Sequence, residues 1–306
     1  MRKGDGTGHA GHSVNGKRAL KRIEAVVNVA SGGVGPDAPD ALEALLADSG
    51  VEFRVAAPEA GDLERALAEA VNAAPDLLVV LAGDGTARAA AELCGPGGPL
   101  LAPLPGGTMN MLPHAVYGEV DWPTALKAAL SRGHEQTIAG GDVGGHRFLV
   151  AAILGAPALW GPAREAARGA NLRRAVLRAR VAWRRSFSSR LRYTLDGGAQ
   201  NKAEALLFMC PIASRAVSSD ARALEVAGFS PSGAVEAGRL GFHAMFGDWR
   251  NDPAVEVELC RSAHIWSRRS IPALLDGELV RLESLAEVRF EPEVVRVLAA
   301  PKDAEP

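Results

Sequence analysis

The stretch Leu77–Ala90, LLVVLAGDGTARAA, constrains this chain more than any other. Leu77 to Leu81 is an unbroken apolar run with two β-branched valines, the pattern of a central parallel strand buried on both faces. It stops at Ala82-Gly83-Asp84-Gly85-Thr86, and an alanine-rich helical segment follows. Gly83 and Gly85 permit a tight turn and the close approach of a ligand to the main chain. The free N–H groups at the helix start then face whatever lies beyond the strand end, a natural place for phosphate. Asp84 is the odd residue. A carboxylate in a phosphate cradle needs an intervening cation, usually Mg²⁺, or must face a hydroxyl about to attack the phosphate. The plain alternative is a strand-to-helix turn with an aspartate N-cap.

Strand and helix signals alternate around this unit. Residues 23–30 read as a strand that ends in Ser31-Gly32-Gly33, and residues 51–56 and 100–103 as two more. Residues 40–48, the segment behind Asp62, and the segment opened by Pro123 and closed by Gly133 read as helices. This alternation predicts an α/β fold with a mostly parallel sheet covered on both faces, in which ligands bind beyond the carboxyl ends of the strands. The glycine-rich turns at 31–33, 83–86 and 106–108 all fall at such ends.

After about residue 138 the texture changes to short runs at 147–154, 190–195, 205–210, 223–229, 240–246, 255–260 and 288–290, which predict antiparallel β-structure. One long helix near 162–186 interrupts them. The expected organisation is a disordered tail over 1–22, an α/β domain over 23–138, and a β-sandwich domain over 139–300 that carries the inserted helix.

Composition excludes several classes. The 306 residues are 47% apolar and 23% charged, as in a soluble globular protein, and the net charge of −2 gives no overall pull toward nucleic acid. Cys94, Cys210 and Cys260 stand far apart, so neither a disulfide framework nor a zinc site is indicated, and a reducing cytoplasm fits. The longest apolar stretch, Phe148 to Trp160, contains Gly155 and Pro157 and is too short to span a bilayer. The first residues lack the apolar segment of a secretory signal. The GDGT at Gly4–Thr7 follows no strand and is read as chance.

With the three turns in order, the chain resembles the diacylglycerol kinase catalytic-domain family of lipid kinases. Asn28-Val29-Ala30-Ser31-Gly32 is similar to that family's Asn-Pro-x-Ser-Gly loop, with valine for proline. Ala82-Gly83-Asp84-Gly85-Thr86 is similar to its Gly-Gly-Asp-Gly-Thr signature, and Leu104-Pro105-Gly106-Gly107-Thr108-Met109-Asn110 to its Pro-x-Gly-Thr-x-Asn loop. Leu275-Asp276-Gly277-Glu278 resembles its Asp-Gly-Glu. Two departures stand out: Ala87-Arg88-Ala89 where the family has x-Asn-Glu, and Ser232-Gly233-Ala234-Val235 near the place of an Asp-Gly-x-Leu that helps hold a regulatory metal.

The resemblance implies ATP, Mg²⁺ and phosphorylation of a lipid hydroxyl in a cleft between a nucleotide-binding domain and a lipid-substrate domain. It places Asn28, Ser31, Gly32, Gly83, Gly85, Thr86, Gly107, Thr108 and Asn110 around the nucleotide, Asp84 at the metal, and Asp84 and Asp276 at the chemistry. The residues themselves leave alternatives open. The threonines can cap helices, Asn110 can close its own turn, and Asp276-Gly277 is a favoured hairpin pair. A kinase of NAD or another small polar metabolite shares the Gly-Gly-Asp-Gly signature, and a non-catalytic lipid or nucleotide sensor on the same fold is the rival of another class. No P-loop sequence G-x-x-x-x-G-K-[ST] occurs.

Between Gly161 and Leu195 stand ten arginines and one glutamate. Arg173, Arg174, Arg178 and Arg180 surround an apolar stripe there, which reads as a solvated helix face or as a contact with anionic lipid headgroups on the inner face of the membrane. Without stacking aromatics nearby, nucleic acid is not expected.

Overall fold

The computed structural model describes residues 20–155, 191–214, 222–229 and 255–301. The Arg-rich segment with Arg173, Arg174, Arg178 and Arg180, the strand expected at 240–246, the segment 232–235 and nearly all of the expected N-terminal tail lie outside these residues.

The first half alternates as its sequence dictates. Strand β1 (Arg22–Val27) leads to helix α1 (Ala38–Ala47), β2 (Glu52–Ala56), α2 (Leu63–Asn72), β3 (Leu77–Ala82), α3 (Asp84–Cys94) and β4 (Leu100–Pro105). All six residues of β3 are buried, as a strand covered on both faces must be. β1 pairs in parallel with β2 and β3, and β3 with β4. The first strand ends at Val27, shorter than residues 23–30 suggested, because the chain turns after Asn28, whose carbonyl accepts from the Ser31 amide and whose Oδ1 accepts from the Ala30 amide.

Helix α4 (Met111–Tyr117) follows, and then α5 (Trp122–Arg132), whose N-cap Asp121 accepts a hydrogen bond from the Thr124 amide.

The second half is antiparallel. It comprises β5 (His134–Val143), β6 (His146–Phe148), β7 (Ala151–Gly155), β8 (Leu191–Leu195), β9 (Asn201–Ala203), β10 (Ala205–Met209), β11 (Leu224–Phe229), β12 (Val255–Cys260), β13 (Ser262–Trp266), β14 (Ile271–Leu275), β15 (Glu278–Leu282) and β16 (Leu285–Ala299). The run expected as one strand over 147–154 is two, broken at Leu149-Val150. Among the described residues one sheet has the order β12-β11-β10-β7-β14-β15. The other begins with the parallel strands and continues, β2-β1-β3-β4-β16-β13-β8-β9, with β5 and β6 attached at β16.

Strand β16 therefore serves both halves. Val288 packs in the antiparallel core with Phe148, Phe208 and Leu275, whereas Val295 and Val297 pack in the α/β core with Leu101 and Leu104. Its pairing with β5 shifts between Glu291 and Val295, where Pro292 falls in the irregularity, as a residue without an amide donor requires.

Candidate active site

The three glycine-rich turns meet beyond the carboxyl ends of β1, β3 and β4. The amide of Gly83 donates to the Ser31 hydroxyl at 3.1 Å, and the amide of Gly33 to the Gly106 carbonyl at 3.0 Å. A Cβ on Gly107 would stand 2.7 Å from the Gly83 Cα, and one on Gly32 would stand 3.6 Å from the Thr108 hydroxyl oxygen. The first of these contacts explains Gly107, where the two turns touch main chain to main chain; the second is an ordinary van der Waals distance.

Two of the expected ligand residues act first on their own loops. Asn110 has φ +51°; its Oδ1 accepts from the Gly107 amide at 2.7 Å and its Nδ2 donates to the Gly107 carbonyl at 3.0 Å. Asn28 Oδ1 accepts from the Ala30 amide. Both asparagines close turns, the plainer of the readings open for Asn110. The hydroxyls of Thr86 and Thr108, in contrast, have no hydrogen-bond partner among the described residues.

Asp84 is the first residue of α3, and Gly83 is the N-cap, so the aspartate is not the cap. Its side chain lies toward the start of α4, with Oδ1 3.4 Å from the Leu112 amide. Burial pushes its carboxyl above the ordinary range, against the opposing pull of the Leu112, Met111 and Asn110 amides and of His114.

The fourth element comes from the other sheet. Asp276 and Gly277, at φ +46° and +90°, form the two-residue loop that joins β14 to β15, and Leu275 pairs with Glu278 across it. This is the hairpin turn that Asp-Gly favours. The Asp276 side chain nevertheless does more than turn the chain. It is 4% exposed, and it accepts main-chain hydrogen bonds from Leu149 (2.6 Å), Val150 (2.9 Å) and Ala151 (2.9 Å). Those three donors bend the chain between β6 and β7. Burial raises the Asp276 carboxyl, while the three amides and the charge of Arg88 lower it, and burial prevails.

Next in the hairpin, Glu278 is ion-paired with Arg88 of α3, and a Cβ on Gly85 would land on its carboxylate. A Cβ on Gly277 would stand 3.1 Å from the Met109 sulfur. The turn of β14–β15 is thus docked on both the 83–88 and the 107–110 segments. Among the described residues no cluster of three metal-binding side chains occurs.

Residues 22–143 match the family model of the diacylglycerol kinase catalytic domain. No curated protein matches the chain. Among solved structures, a diacylglycerol kinase from Bacillus anthracis str. Sterne superposes with a TM-score of 0.67 at 18% identity, over 93% of this chain and 99% of that one. An NAD kinase from Archaeoglobus fulgidus in complex with ATP superposes with a TM-score of 0.51 at 12% identity, over 91% and 94%. At such identities the likeness is one of fold.

Within the matched segment, Arg88 and His114 are neighbours of the site that sequence reasoning passed over. The signal for Arg88 was its place in Ala87-Arg88-Ala89, where the family carries a different pair. The tight loop contact yields a direct expectation. Gly107→Ala should push the 83 and 107 turns apart and weaken ATP binding by about tenfold or more, since sub-ångström positioning of phosphate contacts carries large penalties. Unchanged ATP affinity by calorimetric titration would remove the 106–108 turn from the nucleotide site.

Proposed function

We propose that this chain is an ATP-dependent lipid kinase that transfers the γ-phosphoryl group to the hydroxyl of a diacylglycerol-like or ceramide-like lipid. The observation that carries the reading is the docking of the Asp276-Gly277-Glu278 turn on the Gly85–Arg88 and Met109 segments. On this reading, the groups assigned to the acceptor and to the phosphates lie side by side.

Phosphoryl transfer rests on positioning and charge neutralisation. The N–H groups of Asp84, Gly85 and Thr86 precede the first intrahelical bond of α3, made by the Ala87 amide to the Gly83 carbonyl, and so are free for phosphate oxygens. The Thr86 and Thr108 hydroxyls add side-chain donors. Ser31 and Gly32 line the turn on the β1 side. Asp84 fits a magnesium ion: it is a hard oxygen donor at the start of α3, and Mg²⁺ commonly takes one or two carboxylates together with phosphate oxygens. When bound, such an ion neutralises phosphate charge.

Asp276 is the proposed base. The lipid oxygen forms its bond to the γ-phosphorus, the bond to the ADP oxygen breaks, and the hydroxyl proton passes to Asp276 Oδ2. That oxygen accepts a single amide and retains a free lone-pair direction. A carboxyl raised by burial is a stronger proton acceptor than a solvated one.

No helix among the described residues is long and apolar enough to cross a membrane. The proposal includes peripheral contact with anionic lipid through Arg173, Arg174, Arg178 and Arg180, supported by the ten arginines against one glutamate between Gly161 and Leu195.

The test is incubation with γ-labelled ATP, Mg²⁺ and a panel of diacylglycerol, ceramide, sphingosine and NAD, with chromatography of the products. Label in a lipid product is the expected result. Label in NAD alone would transfer the site to polar metabolites, and no transfer despite ATP binding would support the sensor.

A further inference from the structure

The Glu278 carboxylate sits against Gly85 in the first turn of α3, where the free N–H groups of Asp84, Gly85 and Thr86 are gathered. One of its oxygens lies where a Cβ of residue 85 would be, and the other is held by Arg88 one turn further along. Glutamate is thus an anion held beside the first turn of α3, next to the proposed phosphate cradle, paired with Arg88 and not with the free amides. Arg88 is only 20% exposed and has Glu92 as a second acidic neighbour at 3.9 Å, and its charge reaches Asp276. Three carboxylates share one guanidinium. Glu278 itself is 46% exposed, on the tip of a two-residue hairpin, so it can leave the pair into water.

From this arrangement we infer that Arg88 is a phosphate-binding residue and that Glu278 is its internal competitor. The inference rests on the kinase reading above for the identity of the anion. An incoming triphosphate, more highly charged than a carboxylate and able to accept the planar guanidinium fork through two oxygens, takes Arg88 from Glu278. The hairpin tip is then released from α3 on nucleotide binding and re-engages when the phosphates leave. Arg88 thereby supplies fixed positive charge in a site that lacks a P-loop lysine. Alanine at 89 leaves no acidic side chain next to it in sequence to cancel that charge.

The experiment is calorimetric titration of wild type, Glu278→Gln and Arg88→Gln with ATP and with inorganic tripolyphosphate, once in Mg²⁺ and once in EDTA. Loss of the competitor should tighten binding of both ligands by about threefold or more, and loss of the guanidinium should weaken it about tenfold, the usual worth of a charge-assisted pair. Glu278→Gln alone decides the matter if Arg88→Gln is too unstable to titrate, because a merely structural ion pair gives no gain of affinity when broken. Equal or weaker binding by Glu278→Gln overturns the competitor role and leaves the kinase reading intact. Weakening confined to Mg²⁺ overturns it in favour of Glu278 as a metal ligand. Wild-type binding of tripolyphosphate but not ATP upholds the exchange and removes the nucleotide, whereas binding of neither removes both.

Discussion

Asp84→Asn is expected to fold with a melting temperature equal to or above that of wild type while losing about 10³-fold in turnover, as removal of a central charge-organising group does. The two effects have one cause. Burial raises the Asp84 carboxyl, so the fold prefers it neutral. A carboxyl raised in the folded state contributes stability below its unfolded pKa and loses that contribution as pH rises through the folded value. At neutral pH the charge is therefore carried against a cost to stability. Asparagine removes the charge, and its Oδ1 can still face the Leu112 amide. Calorimetry at neutral pH and near pH 4 should show the difference between the two proteins shrinking as pH falls through the raised folded-state value, until it levels off about where an unperturbed carboxylate titrates. A variant several degrees less stable with full turnover would make Asp84 a structural residue.

Asp276→Asn should behave in the opposite way, losing about 2–4 kcal/mol of stability as well as about 10²–10⁴-fold in turnover. Asparagine tolerates the positive φ of this position, so the backbone is not the source of the loss. The source is the amide. With its oxygen toward Val150 and Ala151, its NH₂ must face the Leu149 N–H, and two donors meet in a buried site.

The protein contains its own control. Asp196, at φ +48°, also accepts from the main chain of a neighbouring segment, the Arg261 and Ser262 amides, but is exposed. Asp196→Asn should cost less than about 1 kcal/mol, because water satisfies what the amide cannot. Urea midpoints at unchanged m-value measure both. Turnover is compared at a temperature where every variant is folded. If Asp276→Asn then matches wild type, the residue is an anchor of the hairpin and Asp84 becomes the better base.

What the sequence made legible follows from how locally each feature is determined. β3 was legible because burial on both faces leaves an uninterrupted apolar run, and the Gly83–Thr86 turn because glycine spacing is itself the structural requirement. The break between β6 and β7 was not. Residues 147–154 read as one continuous strand, and what divides them is a carboxylate more than a hundred positions away that takes the amides of Leu149, Val150 and Ala151. Helix α4 was hidden by its own start, a left-handed Asn110 followed closely by Pro113, in a stretch that reads as loop. The Arg88–Glu278 pair joins residues 190 positions apart, so no local pattern could have announced it. For Asp276 the hairpin and the functional readings had been set against each other. The geometry makes them compatible, since the turn is what aims the side chain.

Strand β16 gives the molecule an order of assembly. Its later residues, among them Val297 opposite Leu101, cover the edge of β4, and its earlier ones join the antiparallel layer through β13. During synthesis the parallel strands emerge first, yet the flank of β4 waits for a segment about two hundred residues downstream. An unpaired strand edge is a template for mispairing, and so distant a closure slows folding. The half that carries the glycine-rich turns thus leaves the ribosome before the antiparallel half, yet its sheet is completed only with β16. Its maturation is tied to the layer it works with, and a chain interrupted before residue 285 would present an open edge rather than a half-sized enzyme.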